Sequence, residues 1–212
     1  MQIAVNEANM KVENGQLIIK IDSNIEKLLG VNKVELSTVE PGQIIKSVTD
    51  VEYIVLEQLD NGGTKVIRKD LLPDSKKFDI ENNNFTTSSL NNYLNGEFYK
   101  DEIIPGFGDS AVVEQSLNLL SLDGLNDYGT CEVKVGLLTI DDYRKYRKNC
   151  LKEKMDSWWW LSTPDSTPSG YGADYVRCVD SCGRVDCLDC NCAEGVRPFF
   201  ILKSNIFVST AR

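Results

Sequence analysis

Two β-rich runs, Val51-Glu52-Tyr53-Ile54-Val55-Leu56-Glu57-Gln58-Leu59 and Thr64-Lys65-Val66-Ile67-Arg68, flank Asp60-Asn61-Gly62-Gly63. A Gly-rich turn between alternating apolar runs is a hairpin signal, and it places an antiparallel sheet near the middle of the chain. Helical signals are short by comparison. Leu90, Leu94 and Phe98 recur at i, i+4 and i+8 after a Thr/Ser group, the mark of a brief amphipathic helix. Thr139 is an N-cap for a second helix, with Asp141 and Asp142 in its first turn and Arg144 to Lys148 in its last. That charge order suits the helix macrodipole, and it puts Tyr143 and Arg147 on one face.

Gly106 and Gly108 open a loop, and Leu117 to Leu122 is a strand candidate. From Trp158 the chain reads as strand and turn. Trp158-Trp159-Trp160-Leu161 runs into Thr163-Pro164, which ends it. A Ser/Pro/Gly/Asp loop continues to Gly172. Ala173 to Asp180 and Arg184 to Asn191 then form a hairpin around Ser181-Cys182-Gly183, and Val196 to Leu202 closes the domain. There is no internal repeat. The expected fold class is α+β, with short helices and a twisted antiparallel sheet.

Residues 1–40 read as a separate extension. Gln16 to Ile21 is a short strand candidate, Ser23 caps a brief helix through Leu29 to Gly30, and Pro41-Gly42 breaks the chain. The segment is too small for a core of its own. It is expected to attach the 41–212 domain to a virion or assembly partner, or to build a homo-oligomer.

The 212 residues contain no histidine. That removes Ser-His-Asp and Cys-His catalysis, His-ligated metals and a histidine base; an enzyme here would have to work with carboxylates, Lys, Tyr or Cys, and the chain is not expected to be one. Net charge is −9 with no basic patch beyond Arg144 to Lys148, which argues against nucleic acid. No apolar window is long enough to cross a membrane, and the N-terminus lacks the pattern of a secretory signal. A reducing cytosol as the place of synthesis follows, yet there are seven cysteines. Five of them, Cys178, Cys182, Cys187, Cys190 and Cys192, crowd one stretch.

WWWLSTP (158–164), Gly-Tyr-Gly-Ala-Asp-Tyr-Val (170–176) and GVRPFFILKS (195–204) together resemble a domain widespread in gut bacteria and their phages. PGQIIKSVTDVEYIVLEQLDNGGTKVIRKDLL (41–72), SSLNNYLNGEFY (88–99) and KVGLLTIDDYRKYR (134–147) extend the resemblance over about 41–208. The domain is similar to the C-type-lectin-like fold shared with formylglycine-generating-enzyme relatives. It also resembles the variable target proteins of diversity-generating retroelements, including phage receptor-binding tips. The resemblance implies a ligand-binding module, phage-borne and displayed on a virion for host attachment, whose partner is a host cell-surface protein or glycan. A bacterial target protein of such an element would instead stay in the cytoplasm.

Four readings compete for the cysteines. Cys187-x2-Cys190 lacks a second CxxC, and on a strand the two face opposite sides, which speaks against a thiolate metal site. A copper-thiol enzyme rests on fold analogy alone. Thiols without any role would explain one or two cysteines better than five. Retroelement mutagenesis of adenines, finally, cannot produce Lys, Glu, Gln, Met or Trp at Asn-type codons. None of these occurs from Ser162 to Ala193, where chance absence is on the order of one in a thousand.

The diversified surface is therefore expected over about 162–193. Its ligand-binding residues are Tyr171, Cys178, Asp180, Cys182, Asp186, Cys187, Asp189, Cys190, Asn191 and Cys192, with no cofactor and no metal. Val176, Cys178 and Asp180 share one strand face, and Cys178, Asp180 and Cys182 are expected to look outward. Asp186, Asp189 and Asn191 could ligate calcium, but the Glu-Pro-Asn and Trp-Asn-Asp signatures of sugar-binding lectins are missing. The tryptophan pair reads as core, and Arg197 as a buried ion pair with Glu194 or Asp174. The rivals from other classes are a thiol- or metal-dependent protein and a structural virion protein.

Overall fold

The computed structural model describes residues 33–210, with the backbone of two strands nearer the N-terminus. These strands, β1 (Met10–Glu13) and β2 (Gln16–Ile19), pair antiparallel, Met10 opposite Ile19. They belong to a unit spanning Met1–Lys33, and Val34–Arg212 forms a second. The helix expected over Ser23–Leu29 lies outside the described residues.

The larger unit begins within β3 (Lys33–Glu35), followed by β4 (Ile44–Lys46). Pro41-Gly42, expected as the domain boundary, is instead a turn inside this unit. Gly42 has φ 90° and its N–H reaches the Val55 carbonyl at 2.7 Å. Leu36 and Val39 are buried, and the Gln58 side-chain amide donates to both of their carbonyls at 2.9 and 2.8 Å. A Pro-Gly break marks a turn, and a turn between packed elements carries the same sequence signal as a linker.

The hairpin read from sequence forms as β5 (Glu52–Gln58) and β6 (Gly63–Arg68). Gly62 supplies the positive φ of 80° that the turn needs, and Leu59 and Gly63 close it by a 2.7 Å backbone bond. The register shifts between Val55 and Glu57, a bulge that adds twist to the sheet. Tyr53, Ile54, Val55 and Leu56 are all buried, so β5 is covered on both faces.

After this hairpin come β7 (Lys76–Lys77), which lies outside its sheet, and the later strands. These are β8 (Val112–Val113), β9 (Gln115–Asn118), β10 (Thr130–Val133) and β11 (Val135–Gly136). Then come β12 (Trp159–Pro164), β13 (Tyr175–Val179), β14 (Val185–Asp189), β15 (Ala193–Glu194), β16 (Phe199–Lys203) and β17 (Phe207–Thr210). The main sheet has eight strands in the order β11-β16-β6-β5-β4-β17-β3, with β8 also on β16. β12-β13-β14 form a separate three-stranded sheet, and β9-β10 and β7-β15 form two-stranded ones. Every ladder between strands described in register is antiparallel. The Leu117–Leu122 strand expected from sequence is confined to Leu117 and Asn118, because the chain turns at Ser121 through Leu125.

One helical run carries α1 (Ser89–Tyr93), a π-helix (Leu94–Ile103) and α2 (Ile104–Phe107). Ser88 caps it by accepting from the Asn91 N–H, and Leu90, Leu94 and Phe98 are buried as their spacing predicts. Gly106 is part of α2, packed close to Ser47, and the loop opens only at Gly108 with φ 85°. The second helix, α3 (Ile140–Tyr146), starts with a full capping box: Thr139 Oγ1 accepts from the Asp142 N–H, and Asp142 accepts back from the Thr139 N–H. The fold is α+β with a twisted antiparallel sheet. Among the described residues no helix is long and apolar enough to cross a membrane.

All six residues of β12 are buried. Trp160 packs edge-on against Phe78, which meets Phe85, while its indole N–H donates to the Lys76 carbonyl at 2.9 Å. Trp159 packs edge-on against Tyr143 of α3. Trp160 is core as expected, but its buried companion is Trp159, while Trp158, expected to share its face, is half-buried. Trp159 and Trp160 fix the position of the three-stranded sheet that carries the candidate site.

Candidate binding face

β13 is the central strand of β12-β13-β14, with Trp160 opposite Cys178 on one side and Asp186 opposite it on the other. Its two faces are therefore unequal. Val176 and Cys178 point into the core and are fully buried, whereas Tyr175 is half exposed and Arg177 is half-buried, paired to Asp165 at 2.7 Å. The outward orientation expected for Cys178 and Asp180 is overturned. Period-two alternation defines the two sets of side chains, but the neighbouring β12 decides which set is covered.

Asp180 is buried for a local reason. Its Oδ1 accepts from the N–H groups of Cys182 (2.7 Å) and Arg184 (2.8 Å), and Oδ2 from the Arg184 guanidinium (2.8 Å). These donors, the Arg184 N–H first, hold its carboxyl below the usual range. With Gly183 at φ 80°, Asp180 shapes the turn and is not available to a ligand. Cys190 is also buried: its N–H bonds the Asp174 carbonyl, and its own carbonyl accepts from Phe78 and Asp79.

The cysteines are free thiols. Burial, followed by the nearby Asp186 charge, pushes Cys178 up to about 12. Burial and Asp189 push Cys190 up to about 11, and Cys187 is raised by burial and Asp165. Reactive thiols need the opposite shift. Among the described residues no three Cys, Asp or Glu side chains converge as a metal-holding group.

What remains outward is a distinct set. Tyr171 is 97% exposed and Tyr175 51%; Cys182, Asp186, Asp189 and Asn191 are exposed, and Cys187 and Cys192 are half-buried. Asn191 is held by Lys77 at 2.5 Å and by its own N–H to Asp189. Ile80, 68% exposed, lies on the neighbouring loop.

These loops are fastened from within by Asn83, a residue the sequence reading passed over. Asn83 is fully buried; its amide donates to the carbonyls of Ser166 (2.9 Å) and Tyr175 (2.8 Å), and its N–H to Ala173 (2.7 Å). Its Oδ1 accepts from the Tyr128 hydroxyl at 2.8 Å. Ser166 Oγ, in turn, accepts from the Tyr171 N–H and donates to Asp123, while Asp127 accepts from the Ser169 N–H. An Asn triplet at 82–84 beside a buried Phe85 was the available signal.

A cavity of about 200 Å³ lies at the other end of the hairpin, bordered by α3, the segment after it, and the Asp180–Gly183 turn. Tyr143 Oη and Arg147 Nη2 both donate to the Gly183 carbonyl, so the two share a face as expected. Arg197 borders the cavity. It is buried as expected, but its partners are backbone carbonyls, Arg68 to Nε at 2.9 Å and Lys69 to Nη2 at 2.7 Å, with Trp159 beneath the guanidinium. The expected ion pair with Glu194 or Asp174 is absent among the described residues.

Residues 105–204 are similar to a family described as a domain of unknown function (DUF6273). The matched stretch runs from α2 through β16 and holds both the face and the cavity. No curated protein matches the chain, and no solved structure does.

Proposed function

We propose that the larger unit is a C-type-lectin-like ligand-binding module, not an enzyme. Its face is built from Tyr171, Tyr175, Cys187, Asp189, Asn191 and Cys192. The observation that carries this reading is the pair of exposed tyrosines, Tyr171 on a loop and Tyr175 at the start of β13, both fastened through the buried Asn83. Rigid aromatic side chains lose little entropy on binding, and they dominate the interfaces that use them. The polar surroundings, Asp189 and Asn191, suit a macromolecular ligand, a host cell-surface protein or glycan. The resemblance to retroelement targets makes the module a diversified, phage-borne virion protein for host attachment, with the N-terminal unit as its assembly device. The raised thiols give no support to a thiol-dependent alternative.

The diversification has a direct test in the DNA of the locus. A near-identical non-coding repeat that differs at adenines, with a reverse transcriptase gene nearby, is the expected finding. The mismatched codons should fall on the exposed positions and spare Val176, Cys178 and Cys190. Mismatches concentrated on the buried positions would contradict the proposal.

A further inference from the structure

The cavity beside α3 has no part in the face just described, and its chemistry is specific. Arg197 is 2% exposed, and among the described residues no carboxylate lies within salt-bridge distance of it. A guanidinium carries five N–H donors in a planar fork. Nε and one Nη2 hydrogen are spent on the Arg68 and Lys69 carbonyls. Nη1, with the second Nη2 hydrogen, keeps the end of the fork without a described protein partner, on a residue that borders the cavity. That end matches the two oxygens of a carboxylate.

The rim has the same sign. Arg147, Lys152 and Lys154 border the cavity, and none is in an ion pair with a described residue. Of the two bordering carboxylates, Asp180 is saturated by the turn and Arg184, and Glu153 stands exposed at the mouth. A buried cation without a counter-charge is costly unless something supplies one. Burial holds Arg197 below its usual value, at about 10, with Asp70 and Glu153 opposing the shift only from a distance. The cavity, at about 200 Å³, is smaller than the ~300–1,000 Å³ of sites for drug-sized ligands.

We propose that this cavity is a binding site for a small organic carboxylate, held end-on by Arg197 over Trp159 and drawn in by Arg147, Lys152 and Lys154. Glu153 competes with it at the mouth.

The test uses the full chain labelled with ¹⁵N, titrated at constant ionic strength with sodium acetate, acetamide and inorganic phosphate. Acetate should shift the Arg197 Nε–H and Trp159 indole N–H signals saturably, and its neutral isostere acetamide should not. Arg197→Met could fail to fold, so the decisive variants lie at the exposed rim. Lys152→Gln with Lys154→Gln should weaken acetate binding by about threefold, and Glu153→Gln should tighten it by about twofold, since rim charges act at partly screened range. Both should melt as the wild type does. No saturable shift up to about 100 mM acetate, a weak-binding ceiling, would overturn the proposal and leave Arg197 a structural tie. Equal responses to acetate and acetamide, or tighter saturation by phosphate, would overturn the carboxylate assignment.

Discussion

Cys182 stands in solvent at the tip of a turn while Cys178, four positions earlier in the same hairpin, is sealed against Trp160. Alkylation of the native protein with iodoacetamide at pH 8, read by peptide mass spectrometry, should modify Cys182 first. Cys187 and Cys192 should follow slowly, and Cys131, Cys150, Cys178 and Cys190 only on unfolding. Serine replacement separates the same groups. Cys182→Ser should stay within about 0.5 kcal/mol, whereas Cys178→Ser buries a hydroxyl and should cost about 1–3 kcal/mol in chemical denaturation. The Cys178 thiol also gives stability a pH dependence. Its folded pKa, about 12, lies above the unfolded value of 9.0, so the folded state holds the proton more tightly. Its contribution is complete below the unfolded value and is lost as pH rises towards 12. Alkaline denaturation should therefore be steeper in the wild type than in Cys178→Ala. An equal slope would contradict the burial of this thiol.

At the scale of elements, the hairpin β13–β14 owes its orientation to β12 and the adjoining loops owe theirs to Asn83. Asn83→Ala leaves the Ser166 carbonyl and the Tyr128 hydroxyl without a partner, and the Tyr175 carbonyl with only the Asp165 N–H. The expected cost is about 2–4 kcal/mol, with faster hydrogen exchange confined to the loop around Tyr171. Truncation is equally specific. A chain starting at Lys33 keeps Leu36 and Val39 in the core, and one starting at Pro41 removes both together with the carbonyls that hold Gln58. The shorter chain should melt lower, by the equivalent of at least one buried leucine, about 2–5 kcal/mol. The β5–β6 hairpin and the Thr139 N-cap of α3 were legible in the sequence because turn and cap chemistry are local. The inward face of β13 was not, since alternation is symmetric until a neighbouring strand covers one side. The burial of Arg197 was legible, but its partners, like the role of Asn83, were not. Their partners are backbone carbonyls far along the chain, and carbonyls carry no residue identity that a pattern could reveal.

A binding module of the proposed kind divides its chemistry between a core that tolerates little change and a face that tolerates much. Trp160 and Phe199 are fully buried, and either one truncated to Ala should cost about 3–5 kcal/mol. Tyr171 on its fastened loop and Tyr175 at the start of β13 are exposed, and their removal should leave that core intact. The measurement that bears most directly on a binding module is thus a comparison of melting and binding for the Tyr171→Ala, Tyr175→Ala double variant. Wild-type and variant protein, fluorescently labelled, would be applied to a panel of candidate host cells. The account predicts a melting temperature within about 2 °C of wild type and a loss of binding of more than about tenfold on the strain that wild type recognises. A variant that melts normally and binds that strain as well as wild type does would contradict it.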